Sequence, residues 1–164
     1  MKTLLCLILM TAMTATAWAH GNSNSDAHND GQGHEHTAPH GGTLVVLGDE
    51  FAHLELVLDP DEGKLSGYVL DGEAESPVRI EQPEIEIIIA APDTTGNASA
   101  NELPLRLSAV YNILTGEKEG DTSEFVVRSE RLKSLKQFSA VITAITVKGN
   151  EFEDVGFRFP EGNE

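Results

Sequence analysis

Apolar residues at every second position are the feature of this chain that most restricts its fold. Residues 51–59, 85–89 and 103–109 all show this period. A β-strand turns successive side chains to opposite faces, so the pattern predicts strands with one buried face. The predicted buried set is Ala52, Leu54, Leu56, Leu58, Ile85, Ile87, Ile89, Leu103, Leu105, Leu107 and Ala109.

Turn signals between the apolar stretches predict antiparallel hairpins. The sequence DPDEG separates residues 51–59 from a return strand at 64–71, and Gly149-Asn150 separates residues 141–147 from 152–159. Residues 76–92 are predicted to hold two strands divided by Gln82-Pro83. We count about eight or nine short strands without the helical crossovers of parallel sheets.

One short helix is predicted in the sequence SERLKSLKQ. Ser129 is a candidate N-cap, and Leu132 and Leu135 lie three residues apart. The fold expected from these elements is all-β: an antiparallel β-sandwich, either immunoglobulin-like or a related barrel, with this single helix.

The first 19 residues predict export. Lys2 precedes an apolar run at residues 4–10, and Ala17-Trp18-Ala19 matches a signal-peptidase site. We therefore expect a periplasmic or secreted protein that is not inserted in the membrane after cleavage. Cys6, the only cysteine, lies in this signal peptide. The mature chain would then contain neither a disulfide nor a cysteine metal ligand.

Residues 20–42 differ in composition from the rest of the chain. No Leu, Ile, Val or aromatic residue occurs in residues 20–39, which are rich in Asn, Ser, Asp, Gly and His. Such a segment buries too little apolar surface to offset the entropy of ordering. We predict a disordered histidine-rich tail at residues 20–42 and one folded domain at residues 43–160.

The charge of the chain excludes some partners. Lys and Arg number 11 against 27 Asp and Glu, a formal net charge of -16. Nucleic-acid binding needs clustered basic residues and is therefore excluded, whereas an acidic surface attracts cations. The sequence contains no G-x-S-x-G, G-x-G-x-x-G or phosphate-loop motif. We predict that the protein is not an enzyme.

Five of the six histidines lie in the tail, and this concentration predicts metal binding. The candidate ligands are His20, His28, His34, His36 and His40 from the tail and His53 from the folded domain. Neutral imidazoles predominate near pH 7, and the H-x-H spacing directs two rings to one side of an extended chain. Imidazoles without thiolates favour copper, zinc, nickel or cobalt. The alternative is a polar tail in which histidine is incidental.

Two of these histidines raise further hypotheses. His53 is placed roughly 13 Å along a strand from His40, too far to share an ion unless Gly41-Gly42 lets the tail fold back. His20 would be the mature N-terminus after cleavage, where its α-amine and imidazole together could bind copper(II). A copper enzyme built on that brace needs a second histidine in the folded body, and His53 is the candidate.

Residues 38–80 resemble a segment of periplasmic proteins in bacterial heavy-metal efflux systems. The resemblance is carried by P-H-G-G at residues 39–42, HLELVLD at 53–59 and G-K-L-x-x-Y-x-L-D at 63–71, and the C-terminal GNEFEDVGFRF is also similar. The segment is similar to the accessory domain that accompanies membrane-fusion (adaptor) subunits of cation pumps. The chain lacks the helical hairpin of a full adaptor, so the resemblance implies a separate accessory protein near divalent-metal handling.

These observations lead to one functional expectation and one alternative. The expected protein is an exported binder of a divalent transition metal, accessory to efflux by an envelope pump component or to metal buffering in the periplasm. The alternative is a non-catalytic interaction module of the cell envelope, with the tail as a linker.

Overall fold

The computed structural model describes residues 36–90 and 102–163. The predicted signal peptide and residues 20–35 of the predicted tail lie outside these ranges. The strands are β1 (Thr43–Leu47), β2 (Ala52–Asp59), β3 (Lys64–Asp71), β4 (Glu84–Ala90), β5 (Glu102–Ala109), β6 (Glu124–Arg128), β7 (Phe138–Val147) and β8 (Asn150–Phe159), with a 3-10 helix at Glu130–Ser134.

The eight strands form one antiparallel sheet in the order β1-β2-β3-β6-β5-β4-β7-β8, which nearly closes into a barrel. The predicted all-β antiparallel class is confirmed, and the division into the two layers of a sandwich stays a prediction. Between β1 and β8, the amide of Asn163 replaces a strand partner. Its Oδ1 accepts from the Val46 N–H at 2.8 Å and its Nδ2 donates to the Val46 carbonyl at 3.1 Å.

The predicted alternation defines the core. The isoleucines of β4 pair across the sheet with the leucines of β5, and all six side chains are buried. The paired residues are Ile85 with Leu107, Ile87 with Leu105, and Ile89 with Leu103. Alternation predicted these strands because their buried faces follow the side-chain period of the backbone itself.

The first of the two strands predicted in residues 76–92 is reduced to isolated pairings. Pro77 pairs with Leu70, and Ile80 pairs with Thr122. Pro77 has no N–H to donate, and Pro83 interrupts the chain before β4, so a continuous ladder does not form.

The predicted helix is present as one turn of 3-10 geometry. The Ser129 side chain caps it by accepting the Arg131 N–H, and Leu132 is its buried residue. Within residues 36–90 and 102–163 this five-residue element is the only helix. No helix in these ranges is long and apolar enough to cross a membrane. The last hairpin turns at Lys148-Gly149, with φ of 49° and 82°, one residue earlier than predicted.

Candidate functional site

The second strand is buried on both of its faces, although its alternation predicted one face exposed. Five consecutive positions of β2, from Ala52 to Leu56, are buried. His53 and Glu55, on the face predicted to be exposed, are both 0% exposed. Residues 36–42, which we call the N-terminal strap, contribute to this cover through the contacts described below.

Two glycines allow the N-terminal strap to lie so close to β2. Gly41 has a φ of 70°, a left-handed conformation that glycine adopts without a steric penalty, and its N–H donates to the Ala38 carbonyl. A Cβ on Gly42 would lie 2.5 Å from the Leu56 carbonyl oxygen. The chain folds back over β2 here, and this brings His36 rather than His40 against His53.

The buried carboxylate of Glu55 anchors the N-terminal strap. Its Oε1 accepts the backbone N–H of His40 at 2.8 Å and of Gly42 at 2.9 Å. Its Oε2 lies 2.7 Å from the Nδ1 of His40. Because an ionised carboxylate only accepts hydrogen bonds, Nδ1 carries the hydrogen. The lone pair of a neutral His40 is then on Nε2.

The ring of His40 is also held by stacking. It lies on Tyr68 with the ring centroids 3.8 Å apart and the planes 12° from parallel. Tyr68 pairs with Glu55 across β2 and β3. Burial raises the pKa of the Tyr68 phenol, and the negative charge of Glu124 raises it further. The phenol is therefore neutral where it supports the imidazole.

The ring of His53 is oriented by the end of β3. Its Nδ1 lies 3.1 Å from the backbone carbonyl oxygen of Asp71, which can only accept, so Nδ1 again carries the hydrogen. The carboxylate of Asp71 accepts the N–H groups of Glu75 and Ser76 and so fixes the following turn. Burial alone would raise the pKa of Asp71, but these hydrogen bonds outweigh it and lower that pKa.

The imidazole of His36 packs edge-to-face against that of His53. The two ring centroids are 4.9 Å apart and the planes are inclined at 63°. Both Nε2 atoms are buried and have no hydrogen-bond partner within the described chain. We call these two rings the histidine pair.

The structure brings together two of the six predicted ligands and places a third nearby along the strap. His36 meets His53, whereas His40 is held by Glu55. His20, His28 and His34 lie outside the described residues. No group of three or more His, Cys, Asp or Glu side chains within residues 36–90 and 102–163 is arranged to hold a metal ion.

Sequence reasoning missed the anchoring role of Glu55 and the orienting role of the Asp71 carbonyl. One signal was available for the first. Glu55 is the only acidic residue in the apolar stretch LELVL, and a charge on a strand that is otherwise apolar needs a partner when buried.

Comparison of the chain with protein-family models, with curated proteins and with solved structures finds no match.

Proposed function

We propose that this protein is an exported binder of a divalent transition metal (copper, zinc, nickel or cobalt) that buffers the metal outside the cytoplasm or passes it to an efflux component of the envelope. The observation that carries the proposal is the orientation of two imidazoles. The Nδ1 atoms of His40 and His53 each donate to an oxygen, which directs Nε2 to any further ligand.

This orientation is typical of metal-binding histidines. A ligating imidazole usually donates its other N–H to a carboxylate or a backbone carbonyl, which fixes the tautomer and the ring. Glu55 supplies the carboxylate for His40, and Asp71 supplies the carbonyl for His53. A buried histidine with a purely structural role usually has partners for both nitrogens, whereas the Nε2 of His53 has none among the described residues.

The available donors favour borderline metals over hard cations. Imidazole nitrogens suit zinc, copper, nickel and cobalt, whereas calcium and magnesium prefer sets of oxygen ligands. The net charge of -16 raises the local concentration of any cation. The tail histidines would add ligands that exchange readily, as delivery or buffering requires.

Titration calorimetry of the mature protein with Zn²⁺, Cu²⁺ and Ni²⁺ tests the proposal. The comparison protein carries alanine at all six histidines: His20, His28, His34, His36, His40 and His53. We expect heats of binding from the natural protein and none from the variant. Equal heats from both proteins for every metal would exclude imidazole ligation and with it the proposed function.

Export is tested separately. Cell fractionation should find the protein outside the cytoplasm, and sequencing of its N-terminus should begin at His20. A start at another residue would exclude the copper(II) brace at His20 and leave the remaining histidines as the ligands.

A second candidate function, an interaction module of the envelope, is favoured by one observation. Tyr111, Ile113 and Leu114 are 70%, 77% and 93% exposed on the loop between β5 and β6. The Arg79 guanidinium holds this loop by donating to the Thr115 carbonyl at 2.7 Å. Exposed apolar groups on an ordered loop are typical of protein contacts. Negligible heats with all three metals would favour this candidate.

We infer further that the scaffold is a sandwich of two four-stranded layers. The pairing of β5 with β6 extends over two residue pairs, Ser108 with Val126 and Ala109 with Phe125. The gap between β1 and β8 is bridged by Asn163. These weak joints support layers of β1-β2-β3-β6 and β5-β4-β7-β8, and backbone hydrogen exchange faster at both joints than within either layer would test this division.

A further inference from the structure

The histidine pair joins two parts of the chain that are distant in sequence. His53 belongs to β2, and His36 begins the N-terminal strap. Their ring centroids are 4.9 Å apart, and the Nε2 atom of each ring is buried without a hydrogen-bond partner in the described residues.

The two buried Nε2 atoms of the histidine pair lower the stability of the folded protein, and a metal ion bound to them would remove this penalty. An imidazole nitrogen that is buried without a partner loses its hydrogen bond to water and gains nothing in return. Both Nε2 atoms of the pair are in this state within the described residues. In His53 the Nε2 carries a lone pair, because Nδ1 donates its hydrogen to Asp71.

We propose that His36 and His53 bind one transition-metal ion through their Nε2 atoms. This inference rests on the proposed function and gives it a location. The ion would connect the N-terminal strap to β2, and Glu55 would hold the strap in place without touching the ion. Two protein ligands leave coordination positions open for water or for an acceptor molecule, which suits a site that passes its metal on.

The site differs from binding by the tail alone in a measurable way. If the tail histidines bind the metal, each substitution among them should weaken binding by a part. If the histidine pair binds it, replacing either His36 or His53 should abolish binding. A protein with alanine at His20, His28 and His34 keeps His36, His40 and His53 and so isolates the described histidines.

Zn²⁺ titration of that background protein, followed by nitrogen-15 NMR of the imidazoles, tests the proposal. We expect about one Zn²⁺ per chain, with the Nε2 resonances of His36 and His53 shifted and that of His40 unchanged. Adding His36→Ala or His53→Gln should abolish this binding, whereas adding His40→Gln should leave about one Zn²⁺ bound.

The outcomes distinguish failure of the His36/His53 site from failure of the proposed metal-binding function. If the natural protein binds metal and the background protein does not, the histidine pair is not the site and the proposed function stands on the tail. If neither binds, both proposals fail. Should His53→Gln not fold, as judged by circular dichroism, His36→Ala decides alone, because His36 is not part of the strand core.

Discussion

Glu55 and Glu117 are buried carboxylates that do similar structural work in different chemical surroundings. Each accepts three hydrogen bonds, Glu55 from a segment 13–15 residues away along the chain and Glu117 from within its own loop. Glu55 receives its donors from the N-terminal strap. Glu117, in the loop between β5 and β6, receives them from the hydroxyl of Thr115 and from the hydroxyl and N–H of Ser123.

The difference lies in the partners. Glu55 accepts from an imidazole and two backbone N–H groups of the strap, whereas Glu117 is paired with two hydroxyls and one N–H group and lies 4.0 Å from the Arg79 guanidinium. Burial and hydrogen bonding of a carboxylate therefore do not by themselves mark a binding site. An imidazole that donates to a carboxylate keeps a second ring nitrogen, which a hydroxyl donor does not have. Glu117 is therefore a matched control for Glu55.

The largest expected effect is on stability. Glu55→Ala should lower the free energy of unfolding by about 3 kcal/mol, because a fully buried acceptor of three hydrogen bonds is lost. Glu117→Ala should cost about 1–2 kcal/mol, since its loop donors can turn to water. Urea denaturation of both variants measures the difference. A larger loss in Glu117→Ala would contradict the anchoring role of Glu55.

The second expected effect is on metal affinity. Glu55→Gln should weaken Zn²⁺ binding by about 10–100-fold, the usual effect of losing an outer-shell support of a metal site, because the strap that carries His36 loses its charged anchor. Co²⁺ absorption spectra should be the same in variant and natural protein, because Glu55 is not a ligand. Glu117→Gln should leave affinity unchanged. An altered Co²⁺ spectrum in Glu55→Gln would place the carboxylate on the ion instead.

The third expected effect is a weaker pH dependence of stability in Glu117→Gln than in the natural protein. Burial alone would raise the pKa of Glu117, but hydrogen bonds from Ser123 and Thr115 outweigh it and lower that pKa below the usual 4.5. A carboxyl group whose pKa is lowered by folding stabilises the folded state at pH values above its usual pKa. That stabilisation is lost as the pH falls through the lowered pKa. Urea unfolding between neutral and acidic pH should show a shallower loss in Glu117→Gln than in natural protein. Parallel curves would exclude the contribution.

The smallest expected effect is on Tyr68. Its pKa lies above 10 because of burial first and the charge of Glu124 second, and Glu55 contributes in the same direction. Glu55→Gln should therefore lower the pKa of Tyr68 slightly, and Glu117→Gln should not. Ultraviolet titration in a Tyr111→Phe background, which leaves Tyr68 as the only tyrosine, measures it. A pKa raised by Glu55→Gln would contradict the charge interaction.

The sequence predicted the parts of this fold that follow a local period. The alternation in β4 and β5 and the capping serine of the helix depend on residues within a few positions of one another, and all are present in the structure. The pattern predicts a strand around Pro77 and Ile80, but pairing there depends on the distant Thr122 and on N–H groups that proline lacks.

The candidate site was only partly predictable for the same reason. Composition identified the histidines, but alternation assigned His53 and Glu55 to an exposed face. Their burial comes from a segment 13–17 residues away along the chain, as the contacts of Gly42 with Glu55 and of His36 with His53 show. No short-range pattern encodes such a contact. The glycines at positions 41 and 42 indicated only that it was sterically allowed.

Asn163 has a consequence for how this protein should be handled. Its amide occupies the backbone groups of Val46 that would otherwise be offered to another chain. An unpaired strand margin is a template for association between molecules. Truncation before this residue should promote oligomers or fibrils at high concentration, and an affinity tag is better attached through a spacer that leaves the final turn undisturbed.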